Sequence, residues 1–235
     1  MGHANLVVTR AGPRSLHAAW RPPPGPRSFD LLVASYCEEA EHPMADGVMQ
    51  TLVPGRKVEG WDVVLERCAE VVVRYDRVAL IDDDILAGAD AIGRYFAAGA
   101  EQRLSIWQPS LSWDSYLTYA GTLHNPIFAL RYVNVVEMMC PFSSAEALQR
   151  VKPLFGYGWE SGIDLVWCSL LPRRPRQFAI LDDVVVRHTR PVGALKQANG
   201  FVGRDYEGDI HARLRHFPRT RLGARSPKND PRFVS

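Results

Sequence analysis

The sequence contains no apolar run long enough to cross a bilayer, so no membrane-spanning helix is expected. It contains no Cys-x-x-Cys pair. Its four cysteines, Cys37, Cys68, Cys140 and Cys168, are too scattered for a metal-ligand spacing. That excludes a thiolate zinc site and a redox dithiol, and the cysteines are expected to be reduced, mostly core residues. The opening MGHANLVVTRAG lacks the long apolar segment that follows a basic end in a secretory signal, so a cytoplasmic protein is expected. No internal repeat is present.

What is there is an ordinary globular composition, 46% hydrophobic and 23% charged over 235 residues. The net charge of +2 hides an asymmetry: from Pro191 onward there are nine Lys or Arg against four Asp or Glu. Such a basic tail suits an anionic partner or a solvated extension. It lacks the interleaved aromatics of a nucleic-acid platform, so no nucleic acid is expected. Packing of a homodimer is another role open to it.

Along the chain, NLVVTR (5–10) reads as a short strand, and WRPPPGPRS (20–28) as a turn-rich connector. FDLLVASY (29–36) has the unbroken apolar character of a strand buried on both faces. VMQTLVPG (48–55) reads as another strand. Trp61, Val64, Leu65, Cys68 and Val72 recur at helical spacing. RVALI follows as a strand, GADAIGRYFAAGA (88–100) as a helix with Asp90 near its start, and LSIWQPSL (104–111) as a strand. YVNVVEMMCPF (132–142) reads as one strand. Ser143 and Glu146 have the spacing of a capping box. GYGWESGIDLVWCSLL opens as a Gly-rich loop and is expected to become a helix near Gly162. FAILDDVVVRHTRP (178–191) is a strand ending at His188.

This alternation predicts an α/β sandwich on a mostly parallel sheet flanked by helices. The expected organisation is an N-terminal strand and connector (1–28), a main domain (29–193) and a basic C-terminal extension (194–235). In such sheets ligands sit beyond the carboxyl ends of the strands. Asp82, Asp83 and Asp84 lie at one such end, straight after VALI. Adjacent carboxylates repel one another unless a cation relieves them. Hard oxygen ligands suit Mg²⁺ or Mn²⁺, which complete their shells with water and phosphates. His188, after an apolar strand, is a candidate further ligand. The plainer alternative for the aspartates is a solvated acidic turn before the helix at Asp90.

The segments FDLLVASY, RKVEGWDVV, YDRVALIDDDI, IWQPSLS, VEMMCPFSS, GWESGIDLVW and LDDVVVRHTRPVG, in that order, resemble glycosyltransferases of the GT-A fold. They are particularly similar to the proteins grouped as domain of unknown function 707. The resemblance runs from about Phe29 to Gly193. It implies a metal site of Asp84, Asp82 and His188, holding Mn²⁺ or Mg²⁺. It implies a donor pocket for a nucleotide sugar, with a uridine nucleotide favoured. Ala34, Ser35, Tyr36, Asp82 and Asp83 would line that pocket, with Arg56 or Lys57 at a phosphate or base and Gln108 nearby. The GYGWESGIDLVW stretch is similar to the Gly-Trp-Gly-Glu-Asp loop of inverting enzymes, where an acidic residue deprotonates the acceptor hydroxyl. Its Glu and Asp are not adjacent here, so Asp164 and Glu160 are both candidates, Asp164 preferred. Trp113 and Trp159 are candidates to stack on acceptor sugars, whereas Trp107, within a strand, is expected in the core.

The implied activity is metal-dependent transfer of a sugar from a nucleotide diphosphate to an acceptor hydroxyl, with inversion. Two alternatives stand beside it. Haloacid-dehalogenase phosphohydrolases also carry Asp-x-Asp after a strand, with the first Asp as nucleophile, but near the N-terminus and with a small residue where Ile85 stands here. The other alternative is a non-catalytic nucleotide-sugar binder. A prenyl-transfer DDxxD site is disfavoured because position 86 is Leu.

Overall fold

The structure is a computed structural model that describes residues 4–21, 27–38, 47–159 and 161–192. The basic extension, Glu160 and most of the Pro-rich connector lie outside the described residues. Among the described residues nine strands form the sheet: β1 (Asn5–Ala11), β2 (Asp30–Ser35), β3 (Val48–Leu52), β4 (Arg77–Asp82), β5 (Ile85–Leu86), β6 (Ile106–Leu111), β7 (Leu130–Tyr132), β8 (Phe142–Ser144) and β9 (Phe178–His188). The helices are α1 (Lys57–Arg67), α2 (Ala69–Val72), α3 (Ala89–Glu101) and α4 (Ala145–Val151). Among the described residues, no helix is long and apolar enough to cross a membrane.

The strand order is β3-β2-β1-β4-β8-β6-β9-β5, with β7 also on β9. The sheet is mixed, which corrects the mostly parallel expectation. Pairings β1–β2, β1–β4, β2–β3 and β6–β9 are parallel, whereas β4–β8, β6–β8, β5–β9 and β7–β9 are antiparallel. The cause lies in the Tyr132–Phe142 run, which does not form one strand. Its ends become β7 and β8, and β8 returns antiparallel between β4 and β6. Between them Val136, Met138, Met139 and Cys140 are buried as irregular backbone. Met139 O still accepts from Asp82 N (3.0 Å), and Pro141 O from Leu80 N (2.9 Å). Apolar burial held this run in the core, but hydrogen-bond register did not extend along it.

Because β8 is antiparallel to both neighbours, β1 to β4, β6 and β9 all point the same way. Their carboxyl ends, from Ala11 and Ser35 to Asp82, Leu111 and His188, lie along one edge. The strand before Phe29 is central to this arrangement, since Arg10 faces Ala34 on one side and Asp82 on the other.

The central strands bury both faces, which explains their unbroken apolar sequences. On one face Leu6, Val8, Leu32 and Leu80 pack with Trp61, Val64 and Leu65 of α1 and with Phe155 and Trp167. On the other Val7, Leu31, Val33 and Ile81 pack with Ile92, Tyr95 and Phe96 of α3 and with Trp107 and Phe142. Trp107 is thus core, as expected. Cys140 and Cys168 are buried, Cys37 and Cys68 half-buried, and all four are free thiols.

Two local expectations shift. The cap of α4 is Ser144, whose Oγ accepts from Ala147 N at 3.2 Å. Ser143, one residue earlier, instead donates to Val78 O (3.0 Å). The helix expected near Gly162 is a pair of short 3-10 turns, Ile163–Leu165 and Trp167–Leu170. Gly162 enters the first with φ +84°, a left-handed conformation that glycine adopts without strain.

Candidate functional site at the carboxyl edge of the sheet

The three aspartates after β4 have separate partners. Asp82 Oδ2 lies 2.5 Å from Lys57 Nζ, at the first residue of α1. Burial pushes the Asp82 carboxyl up to about 6, against the opposing pull of Lys57. Asp83 accepts from Gly12 N (3.0 Å), Tyr36 Oη (3.4 Å) and the Arg190 guanidinium (3.0 Å). It therefore ties the ends of β1 and β2 to the segment after β9. Burial, and then the Asp83 charge, push the Tyr36 phenol up to about 12. Asp84 Oδ2 lies 3.3 Å from His188 Nε2, and Asp84 Oδ1 is buried without a hydrogen-bond partner. Burial alone would raise the Asp84 carboxyl, but the hydrogen bond and charge of His188 outweigh it and hold it low.

His188 is oriented from behind. Its Nδ1 lies 2.8 Å from the Tyr116 carbonyl oxygen. A carbonyl only accepts, so Nδ1 carries the proton. Asp84 Oδ2 likewise only accepts, so Nε2 donates to it from the protonated ring, and loss of that proton is what frees the Nε2 lone pair for a cation. A metal-ligating histidine is typically arranged this way, its second nitrogen donating to a carbonyl. Among the described residues no three or more His, Cys, Asp or Glu side chains are grouped so that together they could hold a metal ion. The site offers instead Asp84 with its orphan oxygen, the His188 lone pair and Asp82, now drawn to Lys57. That donor set fits an octahedral cation that takes few protein ligands and completes its shell with water and phosphate.

Of the other predicted donor residues, Ala34 is wholly buried, Ser35 is buried, and Tyr36 stands at the edge beside Asp83. Arg56 Nε pairs with Glu59 Oε2 at 3.2 Å in the first turn of α1. Lys57 also lies over the Trp61 ring, 4.8 Å from its centroid. Gln108 is 2% exposed, and its Oε1 accepts from Glu137 N (2.5 Å), so its amide is occupied within the fold. Trp113 is exposed, whereas Trp159 is buried in the α1-side core and stacked on Tyr157. The structure thus separates the two tryptophans by environment. Asp164 is 4% exposed, in the first of the 3-10 turns. Burial pushes its carboxyl up to about 6, although the Met138 and Leu165 amides, its own amide and the Lys57 charge pull the other way.

Sequence reading missed several residues here. Glu137 is 3% exposed, and burial pushes it up to about 7, with the charges of Asp164, Lys57 and His188 acting on it. Its signal was a lone acid inside the apolar VVEMMC run. Arg10, buried at the end of β1, donates to the carbonyls of Val53 and Gly55 and so shapes the loop that presents Lys57. Arg190, two residues after His188, secures Asp83.

No family model matches the chain, and no curated protein matches it by sequence. The narrower likeness to domain of unknown function 707 is therefore not shown. Among solved structures, TarS 1–349 from S. aureus matches with TM-score 0.53 and 13% identity, over 80% of this chain and 60% of that one. The same protein with UDP-GlcNAc matches with TM-score 0.51 and 12% identity, over 92% and 65%. Its complex with UDP matches with TM-score 0.50 and 10% identity, over 92% and 72%. The chain thus shares the fold of TarS and spans about 60% of the length of the first of these fragments.

Proposed function

We propose that this chain is a nucleotide-sugar-dependent glycosyltransferase, its donor held at the carboxyl edge of the sheet and its transfer inverting. The observation that carries the reading is the meeting of Asp84, in the turn after β4, with His188, at the end of β9 and far along the chain, on a fold shared with TarS. TarS has been seen with UDP-GlcNAc and with UDP, which supports a uridine nucleotide as the donor's carrier.

Asp84, His188 and Asp82 would hold a divalent cation, Mn²⁺ or Mg²⁺, whose chemistry when bound is Lewis-acid stabilisation of charge on the departing diphosphate. Tyr36, fixed by Asp83, and Ser35 border the nucleotide at the end of β2. Lys57 places a positive charge beside the aspartates, on the side from which α1 starts. Asp164 is the base. Burial keeps its affinity for a proton high enough to take one from an acceptor hydroxyl near neutral pH. The acceptor oxygen then attacks the anomeric carbon from the face opposite the diphosphate.

Release of uridine diphosphate from UDP-sugars by the purified full chain tests this. Release is expected with at least one UDP-sugar, with a loss of about a hundredfold or more in Asp164→Asn. Tight binding with no release from any donor would point to a non-catalytic binder. Phosphate release from an aryl phosphate, without action on nucleotide sugars, would point to a phosphohydrolase.

A further inference from the structure

Glu137 and Asp164 are 3% and 4% exposed, yet Glu137 Oε2 and Asp164 Oδ1 have no hydrogen-bond partner. A buried carboxylate oxygen left unpaired is costly, and such an atom in a native site calls for an explanation. Both carboxylates are otherwise fixed. Thr118 hydrogen-bonds the Glu137 side chain, and Gln108 holds its backbone N–H. The amide of Met138, next in the chain to Glu137, hydrogen-bonds the Asp164 carboxyl. The Asp164 charge acts on Glu137, and both act on the Tyr119 phenol. The two acids therefore share one polar locality.

Charge limits what can enter it. Asp82 is paired with Lys57, Asp83 with Arg190 and Asp84 with His188. Among the described residues Glu137 and Asp164 have no ion-pair partner, and Lys57 reaches them only as a more distant charge. An incoming carboxylate or phosphate would be repelled. An incoming group that brings hydrogen-bond donors would satisfy both orphan oxygens.

Resting on the transferase reading, we infer that Glu137 and Asp164 form one acceptor subsite that binds two hydroxyls of a single polyhydroxylated acceptor. Asp164 takes the hydroxyl that reacts, and Glu137 holds the other. In the transfer the reacting O–H proton passes to Asp164. The acceptor oxygen forms its bond to the anomeric carbon, and the bond from that carbon to the diphosphate oxygen breaks, its electron pair leaving on the diphosphate. Glu137 stays out of the electron movement and fixes the acceptor's orientation. An alcohol with one hydroxyl engages only half of the subsite.

The test uses the full chain with Mn²⁺ and a UDP-sugar that it hydrolyses, at pH 8. Release of uridine diphosphate is compared in water, with methyl gluco-, galacto- and mannopyranosides, and with 1-propanol. At least one glycoside should accelerate release tenfold or more over water, and 1-propanol should not. In Glu137→Gln the acceleration, taken relative to that variant's own rate in water, should fall at least tenfold with a raised KM for the glycoside. Calorimetric affinity for uridine diphosphate should stay within twofold, which shows an intact donor site. Glu137→Asp, which keeps the charge but withdraws it, should be intermediate. The inference is overturned if the acceleration survives in Glu137→Gln, if 1-propanol matches the glycosides, or if no glycoside accelerates a measurable hydrolysis. Absence of hydrolysis with every donor would sink the transferase reading itself.

Discussion

Lys57 Nζ and Asp82 Oδ2 lie 2.5 Å apart, joining the first turn of α1 to the end of β4. The same carboxylate is a ligand in the proposed cation site, so the ammonium and the cation compete for it. Lys57→Met should tighten binding of Mn²⁺ alone by about fivefold, the roughly 1 kcal/mol that a partly exposed ion pair is worth. Titration calorimetry at pH 8 measures this. Weaker Mn²⁺ binding in the variant would show that Lys57 supports the cation site rather than contending with it.

Gly60, in the middle of α1, faces the Arg10 guanidinium. A Cβ there would lie 2.2 Å from Arg10 Cζ. Alanine in a helix interior ordinarily stabilises by about 1 kcal/mol relative to glycine, but here the Cβ would push the buried Arg10 guanidinium off the Val53 and Gly55 carbonyls it holds. Gly60→Ala should destabilise by about 2 kcal/mol, a fall of about 4–8 °C in Tm for a chain of this size. Gly88→Ala, at the N-cap of α3 with nothing within 4 Å of its Cβ, is the control and should change Tm little. Equal effects at the two sites would mean that Arg10 does not brace the Lys57 loop.

Burial holds Glu137 near 7, above the ordinary glutamate value of about 4.3. A folded-state value above the unfolded one means that the fold binds the proton more tightly. Glu137 therefore penalises folding increasingly as pH rises from about 4.3 to about 7, and fully above that. Glutamine is neutral throughout. The stability of Glu137→Gln relative to the parent should improve by about 2 kcal/mol between pH 5 and pH 8, with chelator present and no nucleotide. Denaturant unfolding at the two pH values measures the difference. A difference that does not vary with pH would place Glu137 in a solvated setting.

How much of this was legible beforehand follows from what carries each signal. β2 and β4 were readable because burial on both faces writes an unbroken apolar run, and α1 because its apolar residues recur at helical spacing. Asp84 and His188 were readable because a charged group directly after such a strand falls at its carboxyl end. The fate of Tyr132–Phe142 was not readable. Its apolar residues are buried as expected, but local sequence does not say whether backbone bonds form a ladder, and its irregular path along β4 delivers Glu137 to the site. Gln108 looked like a donor contact because it follows Trp107 near a strand end; its role in holding Glu137 N depends on a fold contact from far along the chain. Asp83, too, needed three dimensions, since its partners Gly12, Tyr36 and Arg190 come from three separate segments.

The central claim is that Asp84 belongs to a cation and diphosphate site. The measurement is the melting temperature of the full chain with Mn²⁺ and uridine diphosphate, each at about 100 times its dissociation constant, for the parent and for Asp84→Ala. Mass action predicts about 2.7 kcal/mol of stabilisation for the parent, a rise of about 5–11 °C, and less than a quarter of that rise in the variant. An equal rise in both proteins would contradict the account.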